Sequence, residues 1–274
     1  MTTLKLQLTL EEQGVVVKKR TDNLEAYDDF LRALEYTFSI TKDGDEKARQ
    51  ALEKAIALDP KYSDAYAELG WVYFTDLLSQ WNRDPHGFEQ VFQAAHKAIT
   101  FDDSNAFAYT MLSLAYMWSK RDYDQSLTAA QRAIAIDPNS PQAYVSLAYT
   151  LESSGRPAEA LTVLKKAMRL DPSNRESSTY LLIEGVAYEL MGRCEEAIPV
   201  FKEYVARYPN NLVGHDNLAA CYIEVGRVDD AQAEAAEVMR INPGFSLERQ
   251  KQMSVVKGPM RERIYGDMAK AGLK

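Results

Sequence analysis

Cysteine is nearly absent from this sequence: 274 residues hold two, Cys194 and Cys221, with three histidines. Two cysteines build no disulfide framework, and no second ligand pair accompanies them to hold zinc. Both are read as inert thiols. With 13 Gly and 10 Pro the chain is neither collagen-like nor low in complexity. Long apolar runs are missing too, and none approaches the roughly 20 residues of a membrane-spanning helix. The opening "MTTLKLQLTL" lacks the basic start and continuous apolar stretch of a secretory signal. These absences point to a soluble, cytoplasmic chain.

Positive charge is in short supply. Lys and Arg number 32 against 40 Asp and Glu, a formal net charge of -8. Nucleic acid and anionic membranes, which need a concentrated basic surface, are therefore excluded as partners. The cluster Lys18-Lys19-Arg20 is short and reads as a solvated helix end. Catalytic signatures are missing as well. His86, His96 and His215 are scattered, without an HExxH spacing. No G-x-S-x-G or phosphate-binding Gly-rich loop occurs. The carboxylate pairs Glu195-Glu196 and Asp229-Asp230 open helices, where the helix dipole favours negative charge. The sequence predicts no enzyme, no cofactor and no metal site.

What the sequence has in abundance is a phrase that repeats. "ALDPKYSDAYAELGWVY" (57–73) returns as "AIDPNSPQAYVSLAY" (135–149). The Pro that follows each apolar run stands at Pro60, Pro138, Pro172, Pro209 and Pro243, with Asp103 in the equivalent place between the first two. The spacing settles near 34 residues, and self-similarity at such a period signals a solenoid. Within Ser140–Pro172, Tyr144, Leu147 and Leu151 recur at helical spacing. Gly155-Arg156-Pro157 breaks the chain, and Pro157 suits the first turn of a second helix. Ala160, Leu164 and Ala167 stripe that helix, and Asp171-Pro172 ends it. Small residues recur where paired helices approach: Gly70, Ser113, Ala148, Gly185 and Ala219 in first helices, Ala48, Ser126, Ala160, Ala197 and Ala231 in second ones.

These positions together resemble the tetratricopeptide repeat (TPR) family. The resemblance implies an all-α, right-handed α-solenoid of about six helical hairpins with a C-terminal capping helix. The repeats are placed at 24–60, 63–103, 106–138, 141–172, 175–209 and 212–243, between a leader segment (1–23) and a capping region (244–274). Three departures stand out. "LLSQWNRDPHGFEQ" (77–90) lengthens the second repeat, Glu184 replaces a usual Leu in the fifth, and "TKDGDE" forms a polar turn in the first. Asp43 and Asp45 there lack the Gly and terminal Glu of a calcium loop.

The flanks carry a narrower likeness. "TDNLEAYDDFLRA", the "LDP" phrases, "NRDP" and the closing "MAKAGL" resemble the C-terminal TPR regions of bacterial class III adenylate/guanylate cyclases and related multidomain regulators. That resemblance implies a regulatory module, with residues 1–23 as the tail of a preceding domain and no cyclase chemistry here. Leu4, Leu6, Leu8 and Leu10 alternate at strand period, and "RERIYGDMAKAGL" is an amphipathic segment behind Pro259.

In this family the first helices line a concave groove. Mapped onto this chain, the groove takes Asp64, Ala67, Trp71 and Phe74, then Phe107, Thr110, Leu114 and Met117, then Gln142, Val145, Tyr149 and Glu152. Thr179, Leu182, Val186 and Glu189 follow, with Val213, Asp216, Ala220 and Ile223 from the last repeat. No Lys or Arg is among them, so the groove cannot clamp a partner's terminal carboxylate as TPR co-chaperones do. The expectation is a non-catalytic scaffold that binds an apolar or amphipathic peptide or helix, whose basic residues meet Glu152, Glu189 or Asp216. The alternative is a homodimer or larger self-assembly through the leucine ladder or the array ends.

Overall fold

The structure is a computed structural model that describes residues 20–39, 41–79, 81, 86–174, 177–256 and 258–274. The Leu4–Leu10 ladder, Lys18-Lys19, the "NRDP" segment and the opening of the fifth repeat at 175–176 lie outside the described residues. Every regular element among the described residues is helical. By contact density the chain divides into two units, residues 1–143 and 144–274.

The first unit pairs α1 (Leu24–Thr37) with α2 (Lys42–Leu58), α3 (Ser63–Leu78) with α4 (Gly87–Phe101), and α5 (Ala106–Ala115) with α6 (Tyr123–Ile136). A π-helical turn, Tyr116–Lys120, extends α5. Helix α7 (Pro141–Ser153) crosses the division. The second unit continues with α8 (Pro157–Leu170), α9 (Ser178–Leu190), α10 (Cys194–Arg207), α11 (Leu212–Glu224) and α12 (Val228–Ile241). A short α13 (Leu247–Met253) and α14 (Pro259–Lys270) close the chain. This is the all-α hairpin array that the repeat phrase implies.

Local chemistry sets the helix ends. Asn23, Asn105, Ser177 and Asn211 each sit ahead of a first helix and accept a hydrogen bond from its opening N–H groups. Pro157 stands at the first position of α8, where its missing N–H costs nothing. The "TKDGDE" stretch is helical rather than a turn: Thr41 caps α2 by accepting from Gly44 N at 3.1 Å. Asp45 is buried in its first turn, where Thr75 Oγ1 donates to it at 2.7 Å. Arg20 lies outside any helix and pairs with Asp102 at 2.9 Å, not with solvent alone.

Hairpins close through the small residues. Ser113 and Ser126 are fully buried with their hydroxyls 3.1 Å apart, and Ser126 Oγ donates to the Ser113 carbonyl. Gly185 lies under the ring of Phe201, so close that a Cβ would stand 2.4 Å from Cε1. At Gly70 the nearest atoms, on Ala94 and Met111, would be 3.6 Å away, an ordinary contact. Gly185→Ala should therefore lower stability by about 1–3 kcal/mol through overpacking. Gly70→Ala should be neutral or stabilising, since Ala gains about 1 kcal/mol of helix propensity. Urea unfolding followed by circular dichroism checks both; equal effects would refute the assignment.

Candidate functional site

In the first unit, the predicted groove residues form a packed aromatic cluster. Trp71 lies 5.9 Å from Phe74 and 6.4 Å from Phe107, centroid to centroid. Phe74 touches Phe88 and Trp118 edge-on and is only 3% exposed. Ala67, Thr110, Leu114 and Met117 are buried too, which leaves Trp71 and Phe107 half-buried as the accessible part of the stripe. The rim acid Asp64 accepts from Asn105 Nδ2 at 2.9 Å and lies 3.7 Å from Arg20 Nη1. Next to it, burial pushes Glu68 up to about 8, with Asp64 and Asp45 adding repulsion.

In the second unit, the groove residues part company. Val145, Tyr149 and Leu182 are half-buried, with Val145 and Tyr149 packed on the cluster of Ala148, Leu164, Ala167, Tyr180 and Ile183. Gln142, just before this unit, is exposed. Thr179, Val213 and Ile223 are half-buried, whereas Val186 and Ala220 are buried. The acids Glu152, Glu189 and Asp216 are buried as well, Glu189 and Asp216 completely.

The cover over these acids is α14, which packs along α11 and α9. Ile264, Tyr265 and Met268 supply its apolar face, each at most 2% exposed. On the same face sits Arg261, only 8% exposed. Its Nη1 donates to Asn217 Oδ1 at 3.1 Å and lies 3.7 Å from Glu189 Oε2, while the guanidinium covers the Tyr265 ring at 4.9 Å. Arg263 clamps the edge, donating to Glu224 Oε1 at 2.9 Å and to the Glu189 carbonyl at 2.7 Å. From α13, Gln250 Nε2 donates to Asp216 Oδ2. The amide of Leu247 bonds the carbonyl of Lys274 at 2.7 Å and so ties the chain end back.

Three acids thus share one buried guanidinium. Burial pushes Glu152 up to about 8 and Asp216 up to about 7, and holds Glu189 well above the usual carboxylate range; the Arg261 charge opposes the rise in each case. One guanidinium balances one carboxylate, so burial favours the neutral form of the surplus acids. Consistent with this, Glu152 Oε2, both Glu189 carboxyl oxygens and Asp216 Oδ1 are buried without a hydrogen-bond partner among the described residues.

The acids were legible as groove residues; their arginine was not, because 244–274 reads as a cap. A signal does exist. Arg261 occupies the first place of an i, i+3, i+4, i+7 stripe completed by Ile264, Tyr265 and Met268. A charge on an apolar stripe announces a buried counter-charge. His215 is a satisfied core histidine, with Nδ1 2.6 Å from Glu234 Oε2 and Nε2 3.2 Å from the Pro209 carbonyl. The two cysteines, read from the sequence as inert thiols, lie side by side: Cys194 Sγ and Cys221 Sγ are 2.7 Å apart, both buried. No helix among the described residues is long and apolar enough to cross a membrane.

Comparison with known proteins agrees with this architecture. The tetratricopeptide repeat family model matches residues 117–179 and 190–250. A putative adenylate cyclase 3 of Rhizobium meliloti is 30% identical over 119 residues, which cover 43% of this chain and 20% of that protein. A small glutamine-rich tetratricopeptide repeat-containing protein 2 of Mycosarcoma maydis is 28% identical over 122 residues, 44% of this chain and 34% of the relative. The chain thus spans no more than about a third of these curated relatives. Among solved structures, the Cut9-Hcn1 hetero-tetramer of the APC/C superposes with a TM-score of 0.69 at 14% identity, over 93% of this chain and 46% of that one. Pseudomonas aeruginosa pilF gives 0.59 at 20% identity, over 83% and 96%. The two hairpin series, the period near 34 residues and these matches agree on a helical-hairpin fold of the tetratricopeptide type, with the family's repeats matched at residues 117–179 and 190–250.

Proposed function

We propose that the protein is an interaction scaffold whose second unit binds an arginine-bearing amphipathic helix, and that α14 fills this site in the chain's resting state. The observation that carries the reading is Arg261, a guanidinium buried over Glu189 and Asp216 from a helix that lies on α9 and α11. This is helix-in-groove recognition with a charged anchor. The accessible edges of Trp71 and Phe107 add an apolar contact surface in the first unit. The match to the putative adenylate cyclase supports a place as a regulatory module of a bacterial signalling protein.

The test uses the full chain and a labelled peptide of residues 258–274. The Arg261→Ala chain should bind the wild-type peptide at least ~10-fold more tightly than the wild-type chain does, because its own helix has lost its anchor; breaking a buried pair typically costs about 3–5 kcal/mol. A peptide carrying Arg261→Ala should not bind. Fluorescence anisotropy reads both, with circular dichroism as a check on folding. Failure of the Arg261→Ala chain to bind the wild-type peptide would overturn the proposal.

The acid cluster also sets a pH dependence. Its neighbours are Glu152 on α7, Glu189 on α9, His215, Asp216 and Glu224 on α11, and Arg261, Arg263 and Tyr265 on α14. An acid whose folded pKa is raised keeps a proton that the unfolded chain has released, so rising pH favours unfolding. Its contribution is full below the unfolded value, about 4, and is lost as pH climbs through the range of about 7 to 8 set by Asp216 and Glu152. Below about pH 4 the sign reverses, since partners hold Asp102, Glu159 and Glu196 below their usual values. The urea midpoint should therefore peak near pH 5 and fall toward pH 8, on the order of 1 kcal/mol per pH unit for each surplus acid. Glu152→Gln should flatten that fall, and an unchanged slope would remove Glu152 from the titrating set.

A further inference from the structure

We infer that Cys194 and Cys221 are a dithiol site that exchanges with glutathione disulfide to form a reversible bridge between the fifth and sixth hairpins. Cys194 opens α10, the second helix of the fifth hairpin, and Cys221 lies in the last part of α11, the first helix of the sixth. The two helices pack on each other, and the sulfur atoms face one another 2.7 Å apart across a separation of 27 residues. Both side chains are buried, at 3% and 0% exposure, so each sulfur's nearest reaction partner is the other. Cys194 Sγ also faces Glu224 Oε2 at 3.4 Å, a carboxylate placed to take a proton. A disulfide bond is about 2.0 Å long, so oxidation closes a gap that already stands at only 2.7 Å.

The exchange balances as follows. One cysteine, as its thiolate, attacks a sulfur of glutathione disulfide, breaks that S–S bond and releases one glutathione. The second cysteine gives up its proton, attacks the mixed disulfide at the protein sulfur and displaces the second glutathione. Two thiols are oxidised to one disulfide, and one glutathione disulfide is reduced to two thiols. The product fixes the inter-hairpin contact between α10 and α11. Reduction restores the free pair. This inference does not depend on what the groove binds.

Because the folded chain already brings the sulfurs together, folding and bridging must favour each other by the same factor. For a closed loop of this length the chain-entropy relation gives a factor on the order of a few hundred-fold. The experiment equilibrates the full chain in graded glutathione buffers, once under native conditions and once in concentrated urea. Remaining thiols are alkylated after acid quenching, and intact mass counts them. The expected result is half-oxidation of the folded chain at a glutathione-disulfide ratio on the order of a hundred-fold or more below that needed in urea, with a loss of two hydrogen masses and no dimer. Cys221→Ser should yield only the mixed glutathione disulfide. Equal ratios in the two conditions, mixed disulfides alone, or intermolecular dimers would each overturn the inference.

Discussion

No helical hairpin of this chain can bury its own apolar stripe, and everything else in the structure answers to that constraint. A hairpin closes only where small residues let two backbones approach, as Ser113 does against Ser126 and Gly185 under Phe201. The stripe left over on each hairpin is then covered by the next one: α2 by α3, α4 by α5, α10 by α11. Burying a single large apolar side chain is worth about 1.5–3 kcal/mol, so each junction is supported by several such contacts. Asn105 shows how polar groups follow the same logic. It caps α5 while its amide donates to Ser63 and Asp64 of the preceding hairpin, and one residue thereby starts a helix and fixes its neighbour.

Within the second unit, the face of the first helices is covered by a helix that belongs to no hairpin. Its interface joins two kinds of chemistry that usually stay apart. Ile264, Tyr265 and Met268 make an ordinary apolar seam, and Arg261 enters the same seam as a charge. That charge is tolerable because Asn217 and Glu189 receive it, and because burial favours the neutral form of the surplus acids where water cannot solvate them. The arrangement is selective for that reason. An aliphatic helix would leave Glu189 and Asp216 buried with no cation nearby, and a lysine would lack the planar face that lies over Tyr265.

Much of this was readable from the sequence because the repeat writes its own punctuation. Asp-Pro at Asp171-Pro172 stops a helix, Pro157 starts one, and the small residues mark the close approaches; each acts locally, so its effect survives in a linear reading. The groove acids could be placed by the same register. What could not be read was long-range pairing. Arg261 is separated from Asn217 by 44 residues, and Cys194 from Cys221 by 27. Neither pair leaves a local signature, apart from the anomaly of a charge on an apolar stripe. Phe74, a groove position by the same register, is covered for a related reason. Phe88 and Trp118, which cover it, come from the start of α4 and the π-turn after α5, places where the repeat pattern predicts no contact.

The bond between the Leu247 amide and the Lys274 carbonyl ties the two ends of the closing segment together. On the reading proposed above, α14 is then a tethered ligand of its own groove. A tether of this length holds its helix at a local concentration in the mM range. Any free helix of equal intrinsic affinity would have to exceed that concentration to displace it, so stray arginine-bearing segments are screened out by mass action alone. On that reading, entry would fall to a competitor that is itself tethered nearby, or that grips a second surface at the same time. On that reading, the segment 247–274 sets a threshold on which partners are admitted.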